Sequence, residues 1–150
     1  MMWNDQKSLT FSKFAILAFM CLLLAAVLTA PWLIEKLLVF SRADLDGTKT
    51  FFLATVYIGT IPAAYLLISL LRLLQRLEAG QVFIPLNVEA LRKISWSCFA
   101  GSAISLISVA YYFPWAFVAV AAAFMGLIVR VVKNVVAQAV NLQDEADYTV

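Results

Sequence analysis

The sequence predicts an all-α integral membrane four-helix bundle, N-terminus and C-terminus cytoplasmic, and three observations predict it. The first is a set of charge-free runs: Phe14 to Ile34 and Phe51 to Leu71, each 21 residues long, and an unbroken 36 residues from Ile94 to Val129. A single helix of the longest run would reach about 54 Å, against a hydrocarbon core of about 30 Å. That run must fold back once, and Tyr111-Tyr112-Phe113-Pro114-Trp115 is the place for it. The second is composition: 64% of the residues are hydrophobic and only 13% charged, where soluble domains carry about a quarter charged. The third is how Lys and Arg are distributed. Lys7, Lys13, Arg72, Arg76, Arg92, Lys93, Arg130 and Lys133 share one side of a four-span chain, and only Lys36, Arg42 and Lys49 fall on the other. The positive-inside rule puts the richer side in the cytoplasm.

Spans are expected at about 14–34, 51–73, 94–113 and 115–132, within one transmembrane domain covering residues 1–150. The first resembles a secretory signal in its basic flank. Its length and Pro31 after the small-residue stretch favour a retained anchor. Asp44-Leu45-Asp46-Gly47 reads as a turn. The second span carries Pro62, and Thr60 or Tyr57 is expected to satisfy the carbonyl it frees. Leu70 to Leu77 continue an apolar stripe, and Gly80 is placed to stop that helix. Asn87 is expected to cap the next one, with Glu89 in its first turn. In the third span Ser97, Gly101 and Ser105 recur every four residues, with Gly59 in span two and Gly126 in span four as small counterparts. Small residues let helices approach closely in lipid, so these five are expected at helix contacts. After span four an amphipathic helical extension is expected over about 130–142, followed by an acidic tail at 143–150.

Several kinds of chemistry find no residues here. The chain has no histidine and two cysteines, Cys21 and Cys98, each inside an expected span. No metal site, cofactor or catalytic constellation is expected, and the reading is non-enzymatic. A net charge of +2 gives no reason to expect direct nucleic-acid binding. No Asp, Glu, Lys, Arg or His lies mid-span, which argues against a proton-coupled carrier.

The stretch from Gly80-Gln81-Val82-Phe83 through Asn87, Leu91-Arg92 and Ile94 resembles the cytoplasmic connection of the bacterial membrane proteins grouped as DUF2975. Phe124 to Val135, with Arg130-Val131-Val132-Lys133-Asn134 as its most specific part, looks like that family's fourth-helix signature. The ending Asp144-Glu145-Ala146-Asp147-Tyr148-Thr149-Val150 is similar to the family's acidic ending. Ala146 and Tyr148 depart from its common form, as Pro85-Leu86 does in the connection. The resemblance implies a multi-pass protein of the bacterial inner membrane with no established activity. It also implies a small helix-turn-helix regulator encoded nearby, which is the candidate cytoplasmic partner.

The polar residues these stretches share, Asn87, Arg92, Arg130, Lys133, Asn134 and Asp147, form the expected cytoplasmic interaction face. Arg92 or Arg130 pairing with Asp147 or Glu145 would tie the tail to the span ends. The expected function is that of a regulatory or scaffold protein in the lipid bilayer. The alternative is a small transporter or export accessory using the bundle centre, with the serine-rich third span as its support.

Overall fold

The computed structural model describes residues 2–40 and 47–148. They form four helices: α1 (Met2–Phe40), α2 (Lys49–Glu78), α3 (Pro85–Ser108) and α4 (Trp115–Tyr148). No strand occurs among the described residues. The turn expected at residues 44–47 lies outside them except for Gly47, whose φ of 82° is the left-handed conformation glycine takes readily. The last two residues of the acidic tail, 149 and 150, also lie outside.

Helices α1, α2 and α4 are long and apolar enough to cross a membrane, and α3 falls short by that measure. Four spans were expected, and three of the four helices are long and apolar enough. The reason is local: α3 holds Ser95, Ser97, Ser102, Ser105 and Ser108, and Arg92 and Lys93 lie within it. Yet four of these serines are buried, while Trp96, Leu106 and Ile107 face outward. Polarity has been turned into the protein and apolar surface out of it, the arrangement a low-dielectric surround rewards.

Each helix packs on its neighbour in sequence, α1 on α2, α2 on α3 and α3 on α4. The pairings are antiparallel. Ser95 Oγ donates to the Gly126 carbonyl (3.0 Å) and Ser102 Oγ to that of Ala119 (2.7 Å), so seven residues up α3 correspond to seven down α4. Leu73 of α2 packs with Ala90 and Ile94 of α3, while Thr55 meets Ser108 at 2.8 Å near the other end. Between α1 and α2, Tyr57 Oη donates to the Val27 carbonyl (3.5 Å).

A buried apolar cluster fills each end. Phe52, 2% exposed, sits with Ala30 and Ile34 under Tyr111, Tyr112 and Trp115. Its ring meets Tyr111 edge-on at 4.9 Å, a geometry favoured by the ring quadrupoles. Leu73, Ala90 and Ile94 form the second cluster, against Leu66, Leu70, Leu77 and Val129. The chain does fold back where Pro114 lies: α3 ends at Ser108, and Val109 to Pro114 make the turn into Trp115.

Candidate functional site: the basic end and its connection

The antiparallel pairings gather Lys13, Arg72, Arg76, Arg92, Lys93, Arg130 and Lys133 at one end of the helices and Glu35, Lys36 and Lys49 at the other. An ion pair ties α1 to α2 at each end: Lys13 with Glu78 at 3.4 Å, and Lys49 with Glu35. The hydrogen bond from Lys49 and its charge, with Lys36 adding to them, hold the Glu35 carboxyl below the usual carboxylate range.

The connection from α2 to α3 is built by backbone geometry first. Gly80 takes φ 82° and donates to the Leu77 carbonyl (3.1 Å), while Gln81 N–H reaches the Arg76 carbonyl (2.9 Å). This is a Schellman stop, and it satisfies carbonyls that a helix end otherwise leaves open. Gly80 therefore ends α2 as its sequence position predicts. The start of α3 differs from expectation. Ile84 is its N-cap, with extended backbone, and Pro85 occupies the first helical turn, where its missing N–H matters least.

Asn87 consequently does not cap the helix. Its amide Nδ2 donates to the carbonyls of Gln81 and Val82, both at 2.7 Å, and the residue is 1% exposed. It is a clamp holding the connection against the helix that follows. As a member of an exposed interaction face Asn87 is corrected: a partner has no access to it. Its Oδ1 is buried and accepts no hydrogen bond. Arg76 adds a weaker tie, from Nη1 to the Leu86 carbonyl at 3.5 Å.

The other expected face residues divide. Arg92, Arg130, Asn134 and Asp147 are exposed, and Lys133 is half-buried. Arg92 pairs with Glu89 at 2.9 Å, one turn earlier in the same helix. The expected tie of Arg130 to Asp147 is excluded, because α4 runs unbroken to Tyr148. Seventeen residues of helix separate the two by about 25 Å. The acidic tail is helical as far as Tyr148, and Val140, deep in the extension, is buried. Val131, Val135 and Leu142 form an exposed apolar stripe along it.

Deeper in the bundle the small residues also divide. At Gly126 a Cβ would meet Phe99 Cε1 at 3.0 Å and Cys98 Cβ at 3.2 Å, so α4 crosses α3 closely there and a side chain would make those neighbours give by a few tenths of an ångström. At Gly59 and Gly101 nothing lies within 4 Å of where a Cβ would sit. Those two do not mark close helix contacts. They border a central cavity of about 270 Å³, with Ala26, Thr55, Ser105 and Ala122 contributing from all four helices. Ser97 is buried and turns its hydroxyl back to the Lys93 carbonyl (2.8 Å). The serines that join α3 to α4 are Ser95 and Ser102, which the four-residue spacing missed. Their seven-residue separation, matched by Ala119 and Gly126, was the signal available.

Polar groups at this depth are mostly paired within the protein. Thr55 Oγ1 lies within hydrogen-bond distance of Ser108 Oγ and Tyr111 Oη. Thr60 bonds the Val56 carbonyl (2.7 Å) and Tyr57 that of Val27, so neither takes the Ile58 carbonyl that Pro62 leaves without its helical donor. The indole N–H of Trp115, in the cavity wall, is buried without an acceptor. Cys21 is exposed and Cys98 half-buried, both as free thiols. Among the described residues no group of His, Cys, Asp or Glu is placed to hold a metal.

Residues 10–150 match the family described as Protein of unknown function (DUF2975). The chain belongs to the DUF2975 family. No curated protein and no solved structure matches it. Within this DUF2975 chain, the Gly80-to-Asn87 stretch forms the Schellman stop and the amide clamp. The Arg130-to-Asn134 stretch is the outer surface of α4 just past the charge-free run.

Proposed function

We propose that this protein is a non-enzymatic regulator or scaffold of the bacterial inner membrane. In this reading it crosses the bilayer four times and presents its basic end to a cytoplasmic partner. The observation that carries the reading is the contrast between the two regions. At membrane depth hydroxyls are spent on internal bonds and no Asp, Glu, Lys or Arg is present. At the basic end Arg130 and Asn134 stand exposed on a helix that continues about 27 Å past Arg130. That extension couples polar residues to the apolar stripe of Val131, Val135 and Leu142, the pairing a helical partner recognises. The antiparallel position of α3 between α2 and α4 supports its crossing alongside them, despite its serines. The family resemblance makes a small helix-turn-helix regulator the first partner to test.

The test is capture of a small helix-turn-helix regulator encoded beside this protein by the full chain in nanodiscs. Lys133→Glu and Asn134→Ala are expected to insert normally and to lose capture. Undiminished capture by both variants and by a chain lacking residues 134–150 overturns the reading. The central cavity favours the second reading, a small transporter or export accessory, because all four helices line it. Its lining is uncharged, so its cargo would be a neutral, mainly apolar molecule.

A further inference from the structure

The outer face of α2 and α3 carries a groove of about 530 Å³, walled by Ile58, Ile61 and Pro62 on one side and Trp96, Ala100 and Ile104 on the other. Arg92 and Lys93 stand at its end on the basic side, with Tyr65 beside them. Beyond Ile58 and Ile104 it runs into a second apolar hollow that reaches Phe51 and Tyr111. No carboxylate lines either hollow. Arg92 is partly neutralised by Glu89, whereas Lys93 makes no ion pair among the described residues.

Three features of this groove agree. Trp96 is 62% exposed and sits one turn past the cations, at the depth where indoles rest between headgroup and hydrocarbon. From Lys93 to Ile104 the helix rises about 16 Å, close to half of a hydrocarbon core of about 30 Å. Cations at one end and an apolar floor one leaflet deep are complementary to an anionic headgroup carrying an acyl chain. A second copy of this chain would instead bring the same two cations to the same site, and like charges there repel.

We propose that the groove binds one anionic phospholipid of the leaflet at the basic end, its phosphate at Lys93 and Arg92 and an acyl chain along Ile61, Ala100 and Ile104. The inference rests on the four-span placement of α3 proposed above.

The full chain is taken into nanodiscs of phosphatidylglycerol and phosphatidylcholine in equal amounts, and lipid retained after extraction is weighed by native mass spectrometry. Wild-type protein is expected to retain phosphatidylglycerol over phosphatidylcholine by about fivefold, the worth of one unneutralised cation near a membrane surface. The double variant R92Q/K93Q should lose that preference and R92K/K93R should keep it. Ala100→Trp, which fills the groove without touching its charge, should lower retention of both lipids. Equal retention by the wild type, a preference surviving in R92Q/K93Q, or a lipid-free dimer overturns the site. Ile107→Cys, in a chain with Cys21→Ala and Cys98→Ala, reports separately on the crossing. If it is not labelled from the outer side, the four-span reading and the lipid site fall together. If it is labelled and no lipid is selected, the lipid site falls alone.

Discussion

Replacing Asn87 with alanine strips the Gln81 and Val82 carbonyls of the N–H groups they now accept. Leaving such groups unpaired should destabilise the solubilised protein by about 1–3 kcal/mol, read as a fall in melting temperature. Asn87→Asp should be worse although it is the closer shape, because it sets carboxylate oxygens against two carbonyls. Asn134→Ala, on the exposed surface, should shift stability by no more than about 0.5 kcal/mol. The sequence shows that Asn87 is polar and lies near a helix start, but capping and clamping use the same residue type. Only the path of residues 81–86 separates them. Glu35 titrates at the other end of the molecule. Its folded pKa lies below its unfolded one, so the Lys49 tie contributes above the unfolded value and is lost as pH falls through the folded value. An acid titration of its carboxyl carbon by NMR should move back toward the ordinary range in Lys49→Gln.

Among the helices, glycine has two opposite meanings. Gly126→Ala should weaken the α3–α4 pairing by about 1 kcal/mol, since Phe99 and Cys98 would have to give by a few tenths of an ångström to admit a methyl. Gly59→Ala and Gly101→Ala should each stabilise by up to about 1 kcal/mol, the helix preference for alanine over glycine, because the added methyl meets only open cavity. Thermal melts of the three variants in one detergent decide this. Equal destabilisation by all three would show that the cavity closes. Four-residue spacing cannot distinguish these cases: it places Ser97, Gly101 and Ser105 on one face of α3 without saying whether that face meets a backbone, a groove or a void. The elements themselves were legible in the charge-free runs and in the Gly80 stop. The apolar measure of α3 was less so, because serines lower hydropathy equally whether they face in or out.

At the scale of the whole molecule, backbones among the described residues approach closely only between sequence neighbours, and α1 and α4 make no close backbone approach. The cavity lined by Leu23 and Ala26 on one side and Val118 and Ala122 on the other takes the place of that closing contact. Sequence patterning predicts how many helices form and which end is basic. It carries nothing about whether the ring of helices closes. Orientation is tested by reporter fusions: those after Val150 and within residues 78–86 should read as cytoplasmic and those near Gly47 as external. A C-terminus on the outer side would remove the basic end from any cytoplasmic partner.

The serine bonds from α3 to α4 also bear on how the chain enters a bilayer during synthesis. Ser95 and Ser102 find their acceptors only on the carbonyls of Gly126 and Ala119, residues made after α3 is complete. Until then α3 must hold those hydroxyls on its own backbone, at a hydropathy short of what a lone helix needs. The translocation machinery should therefore pass α3 into lipid poorly by itself and efficiently as a hairpin with α4. Glycosylation-mapped insertion of a nascent chain ending at Phe113, compared with one ending at Val150, measures that difference, and Ser95→Ala with Ser102→Ala should shrink it.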